Sequence, residues 1–230
     1  MEIIKNIYHK LYANRFELFF AISLITLFGS LIFPTALFED TFMPVFLLAH
    51  IFSGIILISK RRTLTFIFTG LFVISLFVYG RDMMMQPKET DMFQFGQMGI
   101  YFVFYIIVTV DIIGQIWKAN HVSKNVIIGL MSGYIALGLV AFFMFLTIEM
   151  ATPGSFEGLY TDANDIAQKT DSLMYYSFIT LLTIGYGDII PLTTIAQKAA
   201  VLTGLAGQFY IVIITAVVVE KYIRHSVKDN

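Results

Sequence analysis

The 230-residue chain contains no cysteine and few charged residues. Without cysteine it forms neither disulfide bonds nor thiolate metal sites. Charged residues make up 13% of the chain, about half of their share in soluble domains. Hydrophobic residues make up 57%, including 23 Phe and 12 Tyr, which is more than a soluble core of this size can bury. The net charge of −1 gives no sign of a nucleic-acid partner, and none is expected. The composition indicates an integral membrane protein.

Six segments are apolar over roughly the length that a membrane-spanning helix needs, which is about 20 residues. They cover about residues 18–38, 43–59, 63–79, 98–117, 126–148 and 196–222. A seventh apolar stretch, residues 173–184, is too short to cross. We therefore predict an all-α integral membrane protein with six transmembrane helices and one re-entrant segment in a lipid bilayer.

Lysine and arginine are distributed unequally between the predicted loops. Eleven of the 15 lie in the N-terminus, the second and fourth connections and the tail. Because these residues collect on the cytoplasmic side, both termini are predicted to be cytoplasmic, in a multi-pass protein of the plasma or inner membrane. The opposite face carries 11 acidic residues and a net charge of −7. It is either a solvated face or a surface that concentrates cations.

A glycine-rich turn lies between two apolar segments, in the sequence TLLTIGYGDIIP of residues 180–191. The preceding Thr170, Asp171 and Ser172 are a helix-start signal, which predicts a short helix over residues 173–182. Non-helical backbone at membrane depth must be buried in protein or line a watery path. The pattern therefore predicts that the backbone of this turn has a function.

The hexapeptide TIGYGD resembles the filter signature of tetrameric potassium channels, with Ile184 in place of valine. The order of outer helix, pore helix, loop, Pro191 and inner helix is also similar. The resemblance is specific over about residues 126–222; for the first four segments it rests on the helix count of the six-segment, voltage-gated-like branch. It implies residues 1–124 as a sensor-like four-helix domain with its linker and residues 125–230 as the pore domain.

The resemblance also assigns roles in the selectivity filter. Rings of carbonyls from four chains replace the water around a potassium ion. Consecutive carbonyls can point the same way only if the backbone alternates in handedness, and glycine permits the required positive φ. The carbonyls that would bind K⁺ belong to Thr183, Ile184, Gly185 and Tyr186, and Gly187 completes the filter.

Residues beside the filter are assigned in the same way. In relatives an aromatic donor on the pore helix holds the aspartate that follows the filter. The matching residues here are Tyr175 and Asp188, with Tyr176 next to the donor. A phenol can also donate this hydrogen bond. Some relatives carry a glutamate behind the filter, and Ile179 occupies that position here.

The inner helix contains two glycines and one stripe of candidate cavity residues. Gly204 and Gly207 either allow close helix packing or form a hinge, and Gly207 matches the position at which relatives bend this helix. Glu220 lies where a gate would close, although an ordinary interfacial charge is the favoured interpretation. The predicted cavity wall consists of Gln208, Ile211, Thr215 and Val219.

Two ionisable residues fall inside predicted spans. For His50 we favour a neutral, hydrogen-bonded histidine within the bundle over a pH sensor. For Asp111 we favour pairing with a cytoplasmic cation, of which Arg61, Arg62 and Lys118 are candidates. Either residue would otherwise be a functional site.

The resemblance implies a homotetrameric, potassium-selective channel that conducts passively, is not an enzyme and uses no cofactor besides the permeant ion. The alternatives are a subunit of a potassium uptake transporter and a non-conducting membrane sensor built on the first four helices. Residues 98–117 contain no lysine or arginine, so we expect no steep voltage gating. About eight residues follow the last segment, so a ligand-binding domain there is not expected.

Overall fold

The computed structural model describes residues 2–33, 38, 42–85, 92–119, 123–159 and 166–226, and these are mostly helical. The N-terminal helices are α1 (Glu2–Ala13) and α2 (Arg15–Phe28), followed by a 3₁₀ turn (Gly29–Leu31) and then by α3 (Met43–Ile58), α4 (Arg62–Met85) and α5 (Met92–Trp117). The C-terminal elements are α6 (Lys124–Ala151), β1 (Phe156–Glu157), α7 (Ile166–Leu181), β2 (Ile190–Pro191) and α8 (Thr194–Ser226).

Among the described residues, four helices are long and apolar enough to cross a membrane, judged by length and composition. The qualifying segments are Arg62–Arg81 in α4, Gly96–Trp117 in α5, Lys124–Ala151 in α6 and Thr194–Glu220 in α8. α2 and α3 have 14 and 16 residues and are also apolar. The chain therefore has the character of a multi-pass membrane protein, while six crossings and cytoplasmic termini stay predictions.

The predicted first span is wrong in its second half. α2 ends at Phe28 and continues only as the 3₁₀ turn, whereas a helix was expected through residue 38. Gly29 lies so close to the ring of Phe38 that a Cβ there would clash with it. Pro34 also disfavours helical backbone at the residue before it. Residues 34–37 lie outside the described part of the chain.

The predicted start of the short helix is also wrong. α7 begins at Ile166 and ends at Leu181, so Thr170, Asp171 and Ser172 lie inside it. The residues before them include Ala, Gln and Lys, which are good helix formers, and they extend the helix beyond its apolar part.

Aromatic stacking joins the two halves of the chain. Helices α5 and α6 share the largest helix contact in the described structure. At its centre the ring of Phe143 stacks on Tyr101 and Tyr105, with centroids 5.3 and 5.5 Å apart. The predicted domain boundary falls at the first residues of α6, and the division into two domains stays a prediction.

His50 is completely buried between α2, α3 and α5. Its Nε2 lies 3.0 Å from the hydroxyl of Ser23, and its Nδ1 lies 3.5 Å from that of Thr26. The rings of Phe19 and Tyr105 meet the imidazole edge-on. The hydrogen-bonded position that the sequence favoured is therefore present.

Asp111 is also buried and has the partner that the sequence favoured. Its Oδ1 lies 3.2 Å from Nε of Arg61, and its Oδ2 accepts a hydrogen bond of 2.7 Å from Gln115. The oxygen of the Gln115 amide accepts hydrogen bonds from Arg15. This carboxylate therefore ties α5 to the α3–α4 turn and to the start of α2.

Candidate functional site

The segment that follows α7, residues 182–188, folds back onto the end of that helix, and we name it the glycine loop. The carbonyl of Ile179 accepts hydrogen bonds from the backbone N–H of Ile184 (2.9 Å) and of Gly185 (3.3 Å). The N–H of Thr183 donates to the carbonyl of Thr180 at 3.0 Å. The first half of the loop is thus fixed by main-chain bonds to α7.

These bonds determine the direction of the loop carbonyls. In a trans peptide unit the N–H and C=O groups point in opposite directions, and none of the described peptide bonds is cis. The N–H groups of Ile184 and Gly185 point toward α7. The carbonyls of Thr183 and Ile184, which belong to the same two peptide units, therefore point away from the helix.

The backbone of the loop alternates in handedness. Thr183, Gly185 and Gly187 have φ of 57°, 57° and 81°, whereas Ile184 and Tyr186 between them do not have positive φ. Such alternation turns successive carbonyls toward one side of the chain. The positive φ of the two glycines was predicted, but that of Thr183 was not. No signal in the sequence indicates it, because β-branched residues rarely adopt this conformation.

The glycine loop is exposed along its whole length in the single chain. Ile184 is 46% exposed and Tyr186 is 72% exposed. Irregular backbone at membrane depth must be covered by protein or line water. Within the described part of a single chain, nothing covers the open side of this loop.

The predicted hydrogen bond beside the loop is present. The phenol of Tyr175 donates to Oδ2 of Asp188 at 2.7 Å, which links α7 to the end of the loop. Tyr176 points elsewhere, into a cluster with Phe145 and Phe156 at centroid distances of 5.0 and 5.4 Å. Tyr176 therefore anchors α7 against α6 and β1, and reaches the loop only through the helix.

Helix α8 approaches the loop at two of the predicted residues. The amide of Gln208 donates to the hydroxyl of Thr183 at 3.3 Å. A Cβ on Gly207 would clash with the carbonyl oxygen of Leu181, so this glycine permits close contact between α8 and the end of α7. A Cβ on Gly204 would lie at an ordinary 3.9 Å from the carbonyl of Thr180.

The remaining predictions on α8 concern a hinge and a cavity wall. The helix is continuous from Thr194 to Ser226, and a hinge at either glycine stays a prediction. The close contact supports the packing interpretation of Gly207. The other stripe residues are all exposed in the single chain, and they are Ile211, Thr215 and Val219.

Sequence reasoning missed Glu149, which organises the turn after α6. This carboxylate is 6% exposed and accepts hydrogen bonds from the N–H groups of Gly154 (2.9 Å), Ser155 (2.9 Å) and Phe156 (3.3 Å). The sequence analysis includes it only among the 11 acidic residues of one face. The available signal was an acid in the last turn of an apolar helix, directly before a Thr-Pro-Gly-Ser turn.

The turn held by Glu149 connects to the chain that leaves the glycine loop. β1 pairs antiparallel with β2, so that Phe156 lies opposite Pro191 and Glu157 opposite Ile190. The N–H of Leu192 donates to the carbonyl of Ser155 at 2.8 Å. The loop is therefore fixed at its start by α7 and at its end by this small sheet.

Comparison with known proteins gives one match. Residues 159–224 match the model of a family described as ion channel, and this range contains α7, the glycine loop and most of α8. No curated protein and no solved structure matches the chain significantly. The match and the four apolar helices support an ion-channel family and a multi-pass membrane protein.

Proposed function

We propose that four copies of this chain form a potassium-selective channel that conducts K⁺ passively. In this proposal the glycine loop is the selectivity filter, α7 is the pore helix and α8 lines the inner cavity. The observation that carries it is the alternating handedness of residues 183–187, with main-chain bonds that turn the carbonyls of Thr183 and Ile184 away from α7. The ion-channel match over the same residues supports it.

Selection of K⁺ follows from this arrangement. An ion gives up its water only if oxygens replace it on all sides, and one chain supplies one quarter of each ring. The rings are formed by the carbonyls of Thr183, Ile184, Gly185 and Tyr186, and the Thr183 hydroxyl adds the innermost ring. The negative C-terminal end of α7 favours a cation below the filter.

Gln208 extends this site toward the cavity. Its amide nitrogen donates to the Thr183 hydroxyl, which leaves the amide oxygen available to the path. Four such amides would form a polar ring below the filter, above an apolar and hydroxyl-lined wall of Ile211, Thr215 and Val219. An ion entering from the cytoplasm would meet these amides while it is still partly hydrated.

A flux assay in liposomes tests this function. The purified chain should pass K⁺ down its gradient in both directions without an energy source, and should prefer K⁺ to Na⁺ in mixed solutions. A transporter would need coupling to an energy source or a second ion, and a sensor would give no flux. Either result would contradict the proposal.

A matched pair of substitutions then tests the filter itself. The Cβ of alanine meets open space at both Gly185 and Gly70, but only Gly185 has positive φ. Left-handed backbone costs a non-glycine residue about 1–2 kcal/mol, and the strain would act in four chains at once. We expect Gly185→Ala to lower the K⁺ over Na⁺ permeability ratio by at least about tenfold, while Gly70→Ala changes nothing. Unaltered reversal potentials in Gly185→Ala would refute the filter assignment.

A further inference from the structure

Helix α1 has the sequence pattern of a helix that lies in the membrane interface. It precedes α2 directly, with only Asn14 between the two helices. Apolar and polar residues alternate with helical spacing, which places them on opposite faces. In the sequence the apolar positions are 3, 4, 7, 8, 11 and 12, and the polar positions are 2, 5, 6, 9 and 10, which include one acid and two lysines. Helices with this pattern and basic polar faces bind at the headgroup boundary.

Cations lie at the end of α1. Arg15 and Lys60 contact the ring of Tyr12, and Arg61 is linked to Arg15 through Asp111 and Gln115. We name these three residues, together with their near neighbours in the sequence, Lys10 and Arg62, the basic cluster. The ring of Tyr12 joins two of its members. The guanidinium of Arg15 lies 4.4 Å from the ring centroid, and the ammonium of Lys60 lies 4.8 Å from it. This ring thus brings Arg15 of α2 and Lys60 of the α3–α4 turn to the end of α1.

The positive charge of the basic cluster is only partly balanced. In the described structure its ion pair is the one between Arg61 and Asp111, at 3.2 Å. The nearby acid Glu17 pairs instead with Lys124, at 2.8 Å. Arg15 bonds to the neutral amide of Gln115. Five cations and one paired carboxylate leave a surplus of four positive charges, and the side chain of Arg61 is still 57% exposed.

The membrane topology alone does not require Arg15 and Lys60 to lie at the same ring. The rule that orients a membrane protein requires only that lysine and arginine lie in the loops on one side of the membrane. Here Arg15 and Lys60 both lie over one aromatic ring, which attracts each of them, while the two like charges repel each other. An anion that bridges them would remove this repulsion, and Lys10, Lys60 and Arg62 are exposed enough to reach one.

We propose that α1 and the basic cluster form a binding surface for anionic phospholipids. The apolar face of α1 enters the boundary of the acyl chains, and the cations contact the phosphates of headgroups in the adjoining leaflet. Under the predicted topology this is the inner leaflet, where anionic lipids concentrate. The surface lies at the Lys124 end of α6, whereas the turn held by Glu149 lies at the other end of that helix.

Lipid retention by the purified full chain tests this surface without any measurement of conduction. The chain is purified in detergent with a mixture of phosphatidylglycerol and phosphatidylcholine, and the bound lipid is identified by mass spectrometry. We expect enrichment of phosphatidylglycerol that falls as salt is added. In Lys60→Gln with Arg62→Gln, the enrichment should drop by between about fivefold and about 25-fold, since each cation near an anionic surface contributes about fivefold.

The matched control is Lys198→Gln, an exposed cation on α8 in the predicted outer part of the chain. It should leave the enrichment unchanged, and unchanged elution on size exclusion would show that both variants are folded. Equal retention of the two lipids by the unaltered chain at low salt would overturn the proposal. The proposal would also be overturned if Lys198→Gln lowered the enrichment of phosphatidylglycerol as much as the double variant does. If the chain retains phosphatidylglycerol but conducts no K⁺, the proposed channel function would be refuted and the proposed lipid-binding surface would not.

Discussion

Thr183 is the most strained residue of the glycine loop. It is β-branched, yet its φ is 57°, in a region that costs such a residue about 1–2 kcal/mol. Its N–H bonds to α7 and its hydroxyl accepts from Gln208, and these two contacts hold it there. Strain of this kind persists where the surrounding structure demands it, most often at functional sites. The positive φ of Thr183 therefore supports a function for the loop backbone independently of the two glycines.

The bond between Tyr175 and Asp188 gives a prediction at the same scale. Tyr175→Phe removes one hydroxyl and should weaken the hold on the end of the loop by about 1 kcal/mol. We expect the fraction of non-conducting channels in a sustained recording to rise about fivefold. Tyr176→Phe is the control, because it also loses one hydroxyl but keeps its ring against Phe145 and Phe156. An equal fraction of non-conducting channels in the two variants would show that the Tyr175 hydroxyl does not stabilise the end of the loop.

Among the structural elements, the small sheet depends on a single carboxylate. Glu149→Gln exchanges one accepting oxygen for a donor that faces backbone N–H groups, so we expect the assembled protein to lose about 2 kcal/mol of stability. Glu157→Gln is the control, since Glu157 is exposed on β1. Thermal unfolding in detergent measures both. A melting temperature of Glu149→Gln equal to that of the control would contradict the role of Glu149 in the turn.

The apolar segments of the sequence predicted the positions of these helices more accurately than the residues at which the helices begin and end. The predicted segments 98–117, 126–148 and 196–222 lie within α5, α6 and α8, because apolar residues mark the part of a helix at membrane depth. A helix continues into polar sequence wherever the residues permit it, which is why α7 begins at Ile166. Conversely, α2 ends at Phe28 within an apolar stretch and is followed by the 3₁₀ turn, a change for which apolarity gives no signal.

The site was predictable to the extent that local sequence determines it. The positive φ of Gly185 and Gly187 follows from the motif, and the bond between Tyr175 and Asp188 follows from the resemblance. The role of Glu149 was not predictable, because its partners are backbone groups that only the folded turn brings to it.

At the scale of the whole molecule, one chain leaves its proposed filter open. The exposed Tyr186 and the apolar side chains of α8, among them Phe209 (60% exposed) and Val212 (63% exposed), require lipid or further protein. Because four copies complete a filter, we expect a tetramer. The chain has no cysteine, so Thr63→Cys on the exposed start of α4 accepts one label per subunit. Photobleaching in detergent should then occur in up to four steps, and a functional monomer or dimer would contradict the assembly.

The last prediction concerns the response of the whole molecule to voltage. α5 carries no lysine or arginine, and its one formal charge, Asp111, is buried and paired with Arg61. Tyr101 and Tyr105 stack on Phe143, which fixes α5 against the outer helix α6 of its own chain. Moving one charge through the whole field is worth about 2.3 kcal/mol per 100 mV, and steep gating needs several such charges per subunit. We therefore predict that this helix is a fixed scaffold and not a voltage sensor.

We expect the open probability in symmetrical K⁺ to change only gradually between strongly negative and strongly positive potentials. The slope should correspond to less than about one elementary charge per subunit, arising from ions that move within the filter. Asp111→Asn removes the only formal charge of α5, and it should leave this shallow slope unchanged. A steep sigmoid of several charges per channel, abolished by changes in α5, would show that the helix moves in the field and that the scaffold interpretation is wrong.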